Sequence, residues 1–76
     1  MNSMAKRRNH NKEKIISEFE MMKDFELTVK NLYITITKSP DVKDRKIKDI
    51  FAAIAEDEQR HADIVQKIIN IATNAL

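Results

Sequence analysis

Three residues interrupt helical lines that are otherwise apolar: Glu26, Glu58 and His61. Glu58 and His61 stand three apart, so on a helix they lie one above the other on the same face. From there a carboxylate oxygen and an imidazole nitrogen reach a common ion. Glu26 interrupts a separate line and approaches from another segment. An unpaired carboxylate in a dry core costs on the order of several kcal/mol unless it finds a partner, a proton or a metal. A carboxylate-rich site with one histidine per metal suits iron or manganese. Taken singly, each residue has a plainer reading. His61 reads as a packed or solvent-edge histidine, Glu26 as a polar residue fixing dimer register, and Glu58 as the partner of Arg60 or a nearby lysine. Asp57, four residues before His61, is a rival ligand, and Glu56 reads as a solvent group. Only the three interruptions together point to a metal.

The elements that must position them are two helical segments either side of one break. The first is expected over about 11–37, with the line Ile15, Phe19, Met22, Glu26, Val29, Tyr33, Ile36 at alternating four- and three-residue spacing. Pro40 disfavours helix at Ser39 and suits a first helical position, so Ser39 is expected to cap a second helix over about 40–74, with Asp41 near its positive end. Ile47, Ile54, His61 and Ile68 recur at seven-residue intervals along it, flanked on one side by Phe51, Glu58, Val65 and Ala72, and on the other by Ile50, Asp57, Ile64 and Ile71. A short break makes the helices antiparallel neighbours. Their seams would leave much of the broad second face wet, and a second hairpin laid against the first covers it. Met21 and Met22 read as packing residues. Tyr33 reads as core, or as a phenol near the metal that donates a hydrogen bond or an electron.

Composition agrees with an all-α chain of one small domain: 76 residues, no glycine and one proline. A chain this short is marginal alone. With no cysteine it has neither disulfides nor any thiolate-held zinc, iron–sulfur or rubredoxin centre, so oligomerisation or a metal held by other ligands is left to stabilise it. No apolar run reaches the ~20 residues that span a bilayer, and no secretory signal is read at the start, so a cytoplasmic protein is expected. Residues 1–14 carry Lys6, Arg7, Arg8, Lys12 and Lys14 against Glu13 alone, a net charge of +4 that leaves −2 for the remainder. A basic flexible arm over residues 1–11, including His10, is expected to precede a helical hairpin over residues 12–76. The arm has no aromatic residue on which a base would stack, which counts against nucleic acid.

Residues 50–68, IFAAIAEDEQRHADIVQKI, resemble the second helix of the rubrerythrin and ferritin-like superfamily, in which a Glu-x-x-His is a metal-ligand pair. Glu26 precedes Tyr33 by seven residues, as a ligand glutamate of that family precedes a tyrosine near the metals. The Ser39-Pro40-Asp41-Val42-Lys43-Asp44 loop also resembles family loops, and the likeness covers about residues 15–72. Rubrerythrins fold two such motif pairs from one chain and usually add a cysteine-ligated domain; this chain has one pair and no cysteine. It is more similar to encapsulated ferritins, two-helix proteins whose metal sites form between subunits. No shell-targeting extension is read after Leu76, so residence in a nanocompartment is not expected.

The resemblance implies a homodimer, or a higher homo-oligomer, closing a ferritin-like four-helix bundle. Two copies of Glu26, Glu58 and His61 would hold two iron ions (or manganese), with oxygen or peroxide as oxidant and a ferroxidase or peroxide-reducing output. Two other functions stand beside it: a non-catalytic helical dimerisation module, and a small nucleic-acid- or partner-binding protein acting through the basic arm.

Overall fold

The structure, a computed structural model, describes the backbone of residues 2–75 and the side chains of residues 11–74. Among these residues it is all-helical, without strands. α1 spans Asn2–Lys38 and α2 spans Arg45–Ala75, and the two pack against each other. Pairs descend along one helix as they ascend the other (Lys23 with Gln66, Lys30 with Gln59, Tyr33 with Phe51), so the hairpin is antiparallel. No helix of the described residues is long and apolar enough to cross a membrane. α1 begins at Asn2, so residues 2–11, expected as a flexible arm ahead of the first helix, have a helical backbone; the side chains of residues 2–10 lie outside those described.

The connection differs from the sequence expectation. Ser39 does not cap α2, and Pro40 does not open it. Ser39 accepts a hydrogen bond from the Val42 amide at 3.2 Å, closing a turn with Pro40 in second position. The fixed φ of proline favours that place in a turn. The cap is Asp44, whose Oδ1 accepts from the Lys46 amide at 2.8 Å and the Ile47 amide at 3.2 Å. These are two of the amides a helix start leaves unpaired. α2 therefore begins at Arg45, five residues later than Pro40.

The seam between the helices sets three alanines of α2 among larger residues. Along α2 it runs Phe51, Ala55, Glu58, Ala62, Val65, Ile69, Ala72, alternating four and three residues as in an antiparallel coiled coil. Ala55, Ala62, Val65, Ile69 and Ala72 are its buried members. Phe19, Lys23, Glu26, Lys30 and Tyr33 line the facing side of α1, all half-buried. Tyr33 packs on Phe51 with ring centroids 5.5 Å apart.

Many of the large apolar side chains are elsewhere. Ile15, Met22, Phe25 and Leu32 of α1 are exposed, as are Ile47, Ile50, Ile64 and Ile71 of α2. By helical spacing both sets fall on the same side of the hairpin, away from the Lys–Gln pairs that bridge its other edge. Ile15 and Met22, expected in the inward line of α1, belong to this open face. The expected central line of α2, Ile47 to Ile68, lies at the border between seam and open face.

The result is a plank of 63 × 17 × 10 Å with a radius of gyration of 17.9 Å, against about 11 Å for a compact domain of this length. Its accessible surface is 6167 Å², where a compact monomer of the same mass exposes about 4800 Å².

Candidate metal centre

Glu26 enters the seam from the middle of α1, and Glu58 meets it from α2 at the heptad position held by Phe51 and Val65 one repeat either side. His61 follows Glu58 by one turn and leans over the edge of the seam toward the open face. Their exposures follow this placement. The side chains of Glu26 and Glu58 are 19% and 18% accessible, and that of His61 is 55% accessible. His61 Nδ1 lies 3.8 Å from Glu26 Oε2 and 3.9 Å from Glu58 Oε1. One donor atom from each residue falls within 4.8 Å of the others. The two His61 separations exceed a hydrogen bond, and the three donors lie near enough to be drawn onto a common ion by small side-chain movements.

The electrostatics of the pair favour a cation. The Glu58 carboxyl is held above its ordinary range chiefly by a proton shared in hydrogen bonding with Glu26. Partial loss of hydration, the charge of Glu26 and, more weakly, the charge of Asp57 act in the same direction, while His61 opposes them. Two carboxylates forced together accept a proton when nothing else is offered. A divalent ion relieves the same repulsion without one.

Sequence reasoning selected Glu26, Glu58 and His61, and the fold brings all three together. Asp57, the rival, is turned aside: its Oδ1 accepts from Arg60 at 2.7 Å in an exposed ion pair. Glu56 is also exposed. Tyr33 stacks on Phe51 two helical turns toward the loop, about 10 Å along α1 from Glu26. What sequence reasoning missed is the opposite edge of the seam. There Lys23 Nζ donates to Gln66 Oε1 at 2.8 Å and Lys30 Nζ donates to Gln59 Oε1 at 2.6 Å. The available signal was that Lys23, Lys30, Gln59 and Gln66 repeat at the same seven-residue interval as the core.

Comparison with protein-family models, curated proteins and solved structures returns no match for this chain.

Proposed function

We propose that two copies of this chain pack open face to open face as a ferritin-like four-helix bundle and form a two-iron centre from Glu26, Glu58 and His61 of each copy. Its activity is oxidation of Fe(II) by oxygen or peroxide, serving iron handling or oxidative-stress defence. The observation that carries this reading is the convergence of two carboxylates and an imidazole within 4.8 Å, midway along an apolar face that the hairpin leaves open.

The residues present fit the metal. Carboxylate oxygens and an imidazole nitrogen suit iron or manganese, and three donors from one chain are half of what a two-metal site requires. The bound iron supplies the redox chemistry. Glu26 and Glu58 would hold the ion through their carboxylate oxygens, in competition with the proton that the Glu58 carboxyl binds more readily than usual. His61, at the rim, contributes the neutral donor. The isoleucines, Met22 and Phe25 around them exclude bulk water once a second copy covers the face.

Metal analysis of protein expressed in iron-supplemented medium, with light scattering for mass, tests the reading. About two irons per dimer are expected, lost in Glu58→Ala and His61→Ala variants. Monomer at every concentration, or a dimer whose iron content is unchanged by those substitutions, refutes it. The exposed apolar face also supports a second reading, an assembly module in which the acidic pair only sets register. A clean dimer that takes up neither iron nor manganese decides for that.

A further inference from the structure

The two Lys–Gln bridges form a ladder that repeats along the hairpin. Lys23 and Lys30 are seven residues apart, as are Gln59 and Gln66. Each glutamine is fixed from behind: Gln59 Nε2 donates to Asp63 Oδ1 and Gln66 Nε2 to Asn70 Oδ1, both at 2.9 Å. With the amide nitrogen engaged there, its oxygen faces the lysine across the seam. The rungs bracket the acidic cluster, since Lys23 and Lys30 lie one turn either side of Glu26.

Part of the seam selects its own register poorly. It repeats every seven residues, so sliding α2 by one heptad, about 10 Å, exchanges Ala55 for Ala62 and Val65 for Ala72. The apolar opposition to that slide comes from Ile69 replacing Ala62 and from loss of the Tyr33–Phe51 contact. The connection does not forbid it. Lys38 to Arg45 is seven residues of chain, which reaches up to about 23 Å, while helices 8–10 Å apart and slipped by one heptad need only about 14 Å. Without metal the cluster itself works against the native register, because it holds two carboxylates together. A slip one way sets Glu26 against Phe51 and Ile54; a slip the other way sets it against Val65 and Ile68. In the first, Lys23 meets Gln59 but Lys30 meets Ala52. In the second, Lys30 meets Gln66 but Lys23 meets Thr73. Only the native register completes both rungs.

From this we infer that Lys23, Lys30, Gln59 and Gln66 are positioning residues, a register lock that brings Glu26 opposite Glu58 and His61. The structural claim is independent of what the cluster binds; its consequence for iron rests on the proposed metal centre.

Because the chain has no cysteine, spin labels can be placed uniquely at the exposed positions Glu20 and Lys67, in labelled chain diluted with unlabelled chain so that only distances within one copy are read. The otherwise unchanged protein is expected to give one narrow distance. Lys23→Met with Lys30→Met keeps the alkyl stems and removes the donors; it is expected to keep its helix content by circular dichroism while a second, slipped population appears. Apparent iron affinity then falls by the fraction left in register, about tenfold if one molecule in ten stays native. Reversing both rungs, by adding Gln59→Lys and Gln66→Lys to Lys23→Gln and Lys30→Gln, is expected to restore the single distance and the affinity together. A single unshifted distance in the Lys→Met variant, with helix intact, overturns the register lock. If the unchanged protein binds no iron, the metal centre falls while the distances still decide the lock.

Discussion

Phe25 offers the sharpest test of the open face. The residue is 67% exposed in the hairpin although it directly precedes Glu26. A buried phenylalanine removes roughly 200 Å² from water, so a second copy would newly cover about 130 Å² of it. At ~25 cal/mol per Å² this contributes about 3 kcal/mol per copy, or about 6 kcal/mol per dimer as a ceiling. Even half of that weakens a Phe25→Ala dimer about a hundredfold, and the ceiling weakens it roughly ten-thousandfold. The isolated hairpin should scarcely change, because the ring is already wet and alanine is the better helix former. Sedimentation equilibrium over a concentration series measures the difference. Asn31→Ala, exposed and off the apolar stripe of α1, is the control and should leave the dimer constant unchanged. Equal dissociation constants for Phe25→Ala and Asn31→Ala would mean that the open face is not the interface.

Other consequences can be measured separately. Glu58 titrates above its ordinary range in the fold because it shares a proton with Glu26, so the folded chain binds more protons than the unfolded one between those two values. The contribution of Glu58 to the stability of metal-free protein should be complete below the unfolded carboxyl range and be lost as pH rises through the raised folded value, lowering the melting temperature over that interval. Glu58→Gln should flatten the trend, and a melting temperature that rises over the same interval contradicts the shared proton. Asp44→Ala should cost about 1 kcal/mol, some 4–8 °C in melting temperature, whereas Ser39→Ala should cost much less; the reverse order would return the cap to Ser39. Ala62 is buried at the seam beside the cluster, so Ala62→Leu should cost about 1–3 kcal/mol and reduce iron binding by spreading the helices. Ala53→Leu, on an exposed face, should do neither.

Periodicity made the helices and the three cluster residues legible in the sequence, because a polar residue in an apolar line stands out without coordinates. It could not say which apolar line faces which partner. Both helices carry more than one hydrophobic line, and hydropathy ranks isoleucine above alanine. The inward seam was therefore sought along Ile47, Ile54 and Ile68, when Ala55, Ala62 and Ala72 form much of it. Close approach of two helices selects small residues, a steric criterion that hydropathy does not encode. Lys23 and Lys30 were hidden for a related reason: long stems let a charged residue cover a seam while its ammonium reaches the far side. The start of α2 was misplaced because Pro40 suits both a first helical position and the second position of a turn. Only the hydrogen bonds at Ser39 and Asp44 separate the two.

The three alanines buried inside and the four isoleucines of α2 exposed outside join the fold to the proposed chemistry. A hairpin meant to stand alone would bury its largest side chains between its two helices, where they contribute most. This one sets Ala55, Ala62 and Ala72 beside Val65 and Ile69 there and leaves Ile47, Ile50, Ile64 and Ile71 outside, and within that seam the carboxylates of α1 and α2 converge. Glu58 belongs to that inner seam, and His61, one turn on, belongs to the border of the outer face. The cluster therefore straddles the two layers, with its acids anchored inside one hairpin and its imidazole presented where a second hairpin would arrive. A site confined to the seam would be complete in one copy, and a site confined to the open face would lose the close helix approach that pairs the acids. At the border, the same isoleucines and phenylalanine that call for a partner surround the donors that such a partner would complete.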